Sequence, residues 1–248
     1  MKKILLGIAC CTFSIGLGLI IAVMIPYVAS DIKNTKLQDK YITEVNDKTE
    51  NRESEFPEVN WDELLVENPK TVGWVVVPDT NINYPIVAAP KSNPQYYLNH
   101  DFHGDWHFAG VPYLDSKCET NWTSYNSIVF GHSLDNKTMF SAFKNYSSKN
   151  FFDQHRTIYL LTPEQNIKLN VVAANVVNGY TEVKRVEFSN HEHFIEYWNE
   201  QLSQSEVVAA DAPTHPEKVF CFVTCSYQTN NSRTLVYAIP EVVEETTP

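Results

Sequence analysis

The chain has 248 residues, 43% of them hydrophobic and 20% charged, and carries a net charge of −11 at pH 7. That composition excludes an extensively disordered chain, and the acidic balance excludes a nucleic-acid binder, which needs a basic footprint. Glycine is scarce, and the sequence contains neither G-x-G-x-x-G nor G-x-x-x-x-G-K-[ST], so the two common glycine-rich phosphate cradles are ruled out.

Lys2 and Lys3 precede an uncharged run from Ile4 to Ala29. The run is long enough to cross a bilayer as a helix. It is longer than the apolar core of about 7–15 residues in a cleaved signal peptide. The two lysines hold the short side in the cytoplasm. The sequence therefore predicts a single-pass anchor in the plasma membrane at residues 1–30, with the rest of the chain extracellular. Every acidic residue follows Ser30, which argues against docking of the outer part on anionic lipid. Residues 31–58 are polar and read as a helical or loosely ordered stalk. Residues 59–248 then form one folded domain.

In that domain "VNWDELLVENP" predicts a short amphipathic helix, with Asn60 as N-cap and Pro69 as stop. "TVGWVVVPDTNINYPIVAAP" reads as two strands around a Pro-Asp-Thr-Asn turn. The aromatic, loop-rich segment from Asn93 ends in a strand near Val111–Leu114, and "NSIVFGH" is a buried strand that ends at His132. Phe140, Phe143 and Tyr146 recur on one side of a helix expected between Lys137 and His155. "TIYLLT" and "IKLNVVAANVVN" are strands. "SNHEHFIEYWNEQLSQS" is an amphipathic helix with Ser189 as its expected cap. "FCFVTC" and the run from Arg233 are the last two strands. Short strands with helices in the connections predict a mainly β domain, a closed or nearly closed barrel with peripheral helices.

Outside the apolar N-terminal run there are three cysteines, Cys118, Cys221 and Cys225. An odd count leaves at least one thiol unpaired in an oxidising compartment. Cys221 and Cys225 lie four apart on one strand, about 13 Å, whereas a disulfide needs Cα atoms within about 7 Å. Cys221 sits mid-strand, as a small buried hydrophobe does. Cys225 ends its apolar run just where polar residues begin, and strand ends carry function more often than strand middles. His132 has the same setting after Gly131. A Cys–His pair from two strand ends can act as nucleophile and proton shuttle. If the last two strands form a hairpin, Arg233 lies near the thiol, where a cation lowers a thiol pKa or holds an oxyanion. The other histidines have simpler readings. His191 and His193 lie on a surface helix, and His100, His155 and His215 lie in loops or turns. His103 and His107 lack a third zinc ligand nearby.

With these residues in this order the chain resembles the sortases, membrane-anchored cysteine transpeptidases of Gram-positive bacteria. Val223-Thr224-Cys225 followed by Arg233 is similar to the family's T-x-T-C…R element, and "IVFGHSLDNKTMFSAFKNY" to its strand-to-His segment. "NYPIV", "YYLNHDF", "GVPYLD" and the long helix before the last strands resemble the class B subgroup. The resemblance covers about residues 60–240 and implies an eight-stranded sortase β-barrel as the catalytic domain, 59–248.

It also implies a reaction. Cys225 attacks the Thr carbonyl of a C-terminal sorting signal of the Asn-Pro-x-Thr-x kind, His132 protonates the leaving amine and later deprotonates the incoming one, and Arg233 supports the oxyanion or the substrate backbone. A thioester acyl-enzyme is resolved by an amine on a peptidoglycan precursor of the lipid II type, joining a surface protein to the cell wall. No cofactor or metal is implied. Asn99, Phe130 and Thr224 are implied at the substrate groove. The chain departs from some class B members in having Phe130 for Tyr, Ser226 for an acidic residue and Val223 for Ser. Two other readings use the same residues: a membrane-anchored cysteine hydrolase, in which water resolves the thioester, and a non-catalytic surface binding module, in which Cys225 is buried core. The target, whether a haem-uptake protein, another surface protein or a pilin, is left open, as is a redox role for Cys118 or Cys221.

Overall fold

The computed structural model describes residues 24–43, 56–181, 185–225 and 231–241. Two compact units divide between Lys40 and Tyr41. Residues 24–41 are helical (α1). Among the described residues no helix is long and apolar enough to cross a membrane. Residues 1–23, most of the expected anchor, and 44–55, much of the expected stalk, lie outside the described residues.

From Tyr41 onward, a two-residue strand Ile42–Thr43 (β1) pairs with Glu58–Val59 (β2). Helix α2, Trp61–Glu67, follows. The Asn60 side chain accepts from the Glu63 N–H at 3.3 Å, satisfying a first-turn donor that the helix cannot. Eight strands then build the barrel: β3 (Thr71–Val76), β4 (Asn83–Ala88), β5 (Tyr113–Leu114), β6 (Asn126–Phe130), β7 (Thr157–Leu161), β8 (Asn166–Asn178), and, after a short strand β9 (Val207–Val208), β10 (Val219–Cys225) and β11 (Ser232–Pro240). Their order around the sheet is β11-β10-β6-β5-β4-β3-β7-β8. The long β8 returns to pair with β11 from Ser232↔Asn178 to Pro240↔Leu169. That ladder closes the barrel and removes the free edges. β9 hangs on the outer part of β8. The sheet is mixed, because β4/β5 and β6/β10 run parallel. The expected eight-stranded barrel with peripheral helices is therefore what forms.

β10 is buried along nearly its whole length because both of its faces are covered. On one face Phe222 stacks on Phe143 at 5.2 Å, and Phe140 meets Phe143 edge-on. On the other face the in-register pair Cys221↔Tyr237 lies under helix α4, His191–Gln204, where Trp198 meets Tyr237 edge-on at 5.5 Å. Two local expectations are corrected. The segment 137–155 is not one helix: Ser141–Ser147 is a 3-10 helix and Lys149–Gln154 a separate helix, α3, broken at the extended Ser148. The strict spacing of three in Phe140, Phe143 and Tyr146 lines up one side of a 3-10 helix, whose turn is three residues. The cap of α4 is Asn190, whose side chain accepts from the His193 N–H, with Ser189 bonded instead to the His193 ring.

Candidate active site

Strand register brings the three candidate residues together. In the parallel pair β6/β10, Phe130 lies opposite Val223, and the Gly131 N–H extends the ladder to the Val223 carbonyl at 3.1 Å. His132 follows two residues after Phe130 and Cys225 two after Val223, so both leave the ends of adjacent strands, whose backbones run about 4.8 Å apart. In the antiparallel pair β10/β11, Cys225 lies directly opposite Arg233. Cross-strand partners present their side chains to one face. Cys225, Arg233 and His132 thus stand at one end of three neighbouring strands. All three are half-buried, open enough to meet a substrate and enclosed enough to be held.

His132 is fixed at two points. Its ring Nε2 lies 2.7 Å from the Leu98 carbonyl. A carbonyl only accepts, so Nε2 carries the proton and Nδ1 is the free base in the neutral ring. Its own carbonyl accepts from the Phe140 N–H at 2.8 Å. Leu98 ends a 3-10 turn, Tyr96–Leu98, and the loop after it is closed by the His107 N–H to Asn99 carbonyl bond and by the Val111 N–H to Tyr97 carbonyl bond. Gly110 in this loop has φ +59°, and a Cβ there would lie 2.2 Å from the Tyr97 carbonyl. Only glycine fits so close an approach in a left-handed conformation.

The other two thiols are held apart from this chemistry. Burial pushes the Cys118 thiol up to about 12, and its sulfur donates to the Asn126 carbonyl and accepts from the Ile128 N–H. Burial also pushes Cys221 up, far above the usual thiol range. Cys118 and Cys221 are buried free thiols and Cys225 is half-exposed. A reactive thiol needs both access and thiolate character, and Cys225 is the accessible one of the three.

Of the groove residues expected by resemblance, Asn99 is exposed and follows directly on Leu98, whose carbonyl holds His132. Phe130 is 8% exposed and lies two residues before His132. Thr224 is 2% exposed and, by strand alternation, points to the face opposite Cys225. Its hydroxyl is buried with no partner, as is that of Thr234, its register partner. The backbone of Thr224, not its side chain, therefore flanks the thiol. Ser226 lies outside the described residues.

One contributor was not legible as such. The Leu98 group is a backbone carbonyl, and no side-chain type announces it. Tyr113 stacks on Phe130 with ring centres 5.5 Å apart. Burial first, and then the Asp115 charge, push its phenol well above the usual tyrosine range, with the Arg233 guanidinium opposing. The remaining histidines have local duties. His103 Nε2 meets Glu67 at 2.6 Å, His100 stacks on Tyr96, His155 stacks on Phe151, and His191 Nε2 lies 3.1 Å from the Pro216 carbonyl. Among the described residues no group of three His, Cys, Asp or Glu side chains is placed to hold a metal ion.

No family model matches the chain. Among curated proteins it is 25% identical over 173 residues to sortase B of Staphylococcus aureus, covering 69% of this chain and 70% of that one. It is 23% identical over 198 residues to sortase B of Listeria monocytogenes, covering 80% and 76%. Among solved structures, sortase B of Clostridium perfringens superposes with a TM-score of 0.66 at 28% identity, covering 73% of this chain and 99% of that one. With a closed eight-stranded barrel matching the sortase fold, these relatives support placing the chain in the sortase family of transpeptidases, class B-like.

Proposed function

We propose that the chain is a cysteine transpeptidase that cleaves a C-terminal sorting signal of the Asn-Pro-x-Thr-x kind after Thr and joins the protein to a cell-wall amine. The observation that carries this reading is the half-exposed Cys225, paired in register with Arg233 and one parallel strand from His132. A buried, inert Cys225, as a binding module would have, does not match that exposure.

The Cys225 thiol gives its proton to His132 Nδ1, the resulting thiolate adds to the Thr carbonyl carbon, and the carbonyl oxygen becomes an oxyanion. Arg233 stabilises that charge with its fixed fork of N–H donors. Collapse of the adduct breaks the peptide bond, and the proton on His132 Nδ1 goes to the leaving amine. This leaves a thioester and a neutral imidazole. Nδ1 then takes a proton from the incoming amine as it attacks the thioester, and the sulfur leaves as thiolate. Throughout, Nε2–H stays on the Leu98 carbonyl, so the ring turns neither nitrogen away. The acceptor is an amine of a lipid II-type peptidoglycan precursor, and the substrates are surface proteins bearing the signal. We further propose that residues 1–30 anchor the enzyme in the plasma membrane with its N-terminus cytoplasmic and its catalytic domain, 59–248, extracellular.

The test is the detergent-solubilised full chain with a fluorogenic Asn-Pro-Gln-Thr peptide, with and without an oligoglycine or diaminopimelate amine. Cleavage lost in Cys225→Ala, with amine-dependent ligated product by mass spectrometry, is expected. Cleavage that depends on Cys225 but never ligates would replace the transpeptidase with a cysteine hydrolase. No cleavage with any amine, together with a Cys225 inert to alkylation, would refute both.

A further inference from the structure

Resting on the reading of His132 as the proton shuttle of Cys225, we infer that Asn68, with Glu67 beside it at the end of α2, is a positioning residue for His132: it holds the segment whose Leu98 carbonyl fixes the ring. Residues 96–111 carry that carbonyl, and they are braced from within. Besides the two bonds that close the loop, the Asp101 carboxylate accepts from the His103 N–H at 3.0 Å and from the Asp105 N–H at 3.1 Å. The Asp101 N–H donates to the Asp105 carbonyl at 2.8 Å. Internal bonds of this kind make the segment a unit. They do not set where the unit sits on the barrel.

The end of α2 supplies such a hold. Asn68 Nδ2 donates to the Phe102 carbonyl at 2.6 Å, and next to it Glu67 meets the His103 ring at 2.6 Å. Burial pushes the Tyr97 phenol up, and a hydrogen bond with Asn68 opposes that shift. Asn68 therefore touches the segment on both sides of Leu98. It is 8% exposed, and Tyr97 and Phe102 are 2% exposed, so water has little access to replace these bonds. The amide is itself aimed. Its Oδ1 accepts from the Lys70 N–H at 2.9 Å, which directs Nδ2 to the Phe102 carbonyl, and a donor on one side and an acceptor on the other allow no other orientation. The Asn68 N–H donates to the Leu64 carbonyl at 2.9 Å, and its carbonyl accepts from the Thr71 N–H at 3.1 Å. The residue is thus tied to α2 and to the barrel strand β3. Its backbone alone caps α2, so the side chain is not needed for the helix. A path of hydrogen bonds and short chain runs from β3 through Asn68 and the braced segment to His132 Nε2, 2.7 Å from the Leu98 carbonyl. Which ring nitrogen is the free base depends on that last bond. A displaced carbonyl lets the ring turn and exchange tautomers.

The measurement is nitrogen NMR of the histidine rings in the detergent-solubilised full chain, labelled with 15N-histidine, at a pH where imidazoles are neutral. His132→Gln identifies the His132 signals among those of the eight histidines. In the unmodified chain His132 is expected to show a protonated Nε2 and an unprotonated Nδ1. In Asn68→Ala the two signals are expected to move toward each other as the tautomers mix. In the peptide-cleavage assay the same variant should lose about ten- to a hundredfold in kcat, with KM within about twofold, because Asn68 acts on the shuttle and not on the substrate. Tyr146→Phe removes another buried hydroxyl bond, to the His155 carbonyl at 2.6 Å, and serves as a variant weakened outside the segment. Unmoved His132 signals in Asn68→Ala, or a change in signals and kcat no larger than in Tyr146→Phe, would overturn the inference. Should Asn68→Ala fail to fold, His103→Phe decides. Its side chain is 45% exposed, and the variant removes only the bond to Glu67. A movement of the His132 signals in the same direction supports the hold, and none overturns it. The ring signals need no sorting signal. Expected ring changes in a chain that cleaves no peptide would refute only the proposed function, and a chain that ligates peptides with an unmoved ring would refute only the role of Asn68.

Discussion

Gly131 joins the barrel strand β6 to His132 and leaves no room for a side chain. A Cβ built there would lie 2.5 Å and 2.6 Å from Cδ2 and Cγ of Phe140. Phe140 cannot retreat cheaply. Its ring is fully buried, edge-on to Phe143 at 4.8 Å and near Phe222 at 6.3 Å, and its N–H holds the His132 carbonyl. Gly131→Ala therefore overpacks the core by one methyl, at about 1–3 kcal/mol. Loss of glycine's freedom in the unfolded chain returns about 0.4–1 kcal/mol, since the backbone here is not left-handed. A net loss of about 1–2 kcal/mol lowers the Tm of a domain this size by about 2–8 °C. The relief must come through Phe140 or the backbone at 131–132, and either movement displaces the His132 ring on the Leu98 carbonyl, the base of the proposed mechanism. Misplacement of a catalytic group by about 1 Å costs on the order of a hundredfold, so kcat/KM should fall by at least about tenfold. Urea denaturation and the peptide-cleavage assay read the two effects. Phe140→Leu in the same chain opens space for the methyl, and the double variant should be about 1 kcal/mol more stable than additivity predicts. Wild-type Tm together with wild-type kcat/KM in Gly131→Ala would refute the claim that this contact positions His132.

Arg233→Lys should lower kcat/KM by on the order of a hundredfold with little change in Tm, because an ammonium cannot reproduce the guanidinium fork; retained activity in steady-state kinetics would remove Arg233 from the mechanism. Tyr84→Phe removes the hydroxyl that accepts from the Met139 N–H at 3.0 Å, where Met139 has φ 55°, and should cost about 1–2 kcal/mol by denaturant titration. Burial pushes the Cys118 thiol from its ordinary 9.0 up to about 12. The folded chain therefore keeps a proton that the unfolded chain releases. This contribution is complete below about pH 9 and is lost as pH rises toward 12, at up to about 1.4 kcal/mol per pH unit. Cys118→Ala should flatten the alkaline limb of a stability–pH curve, and an unchanged limb would count against the shift.

Much of this protein was legible from local pattern. The alternation and length of the apolar runs, with turns between them, announce short strands and a mainly β domain. The abrupt change from apolar to polar at Cys225 and after Gly131 marks two strand ends, and the residues there are the reactive types. The spacing of three at Phe140, Phe143 and Tyr146 also held the 3-10 helix, although a spacing of three is shared by 3-10 and α faces, so the distinction waited for the structure. Asn190 and Ser189 are both good caps, and only the direction of the chain entering α4 chose between them.

Other features depend on which strands become neighbours, and sequence separation hides that. β6 and β10 pair in parallel across some ninety residues, and β8 closes on β11. Those two pairings make a barrel of the strands and set His132 beside Cys225. The Leu98 carbonyl is a backbone group, identical in every residue, so only its position gives it a role. Tyr113 reads as one more aromatic in a strand until the ladder places it against Phe130. The types of residue able to do the chemistry were determined by the sequence alone. Their register and the ring nitrogen that is free were decided by tertiary structure, because pairing between distant strands depends on packing that no local window contains.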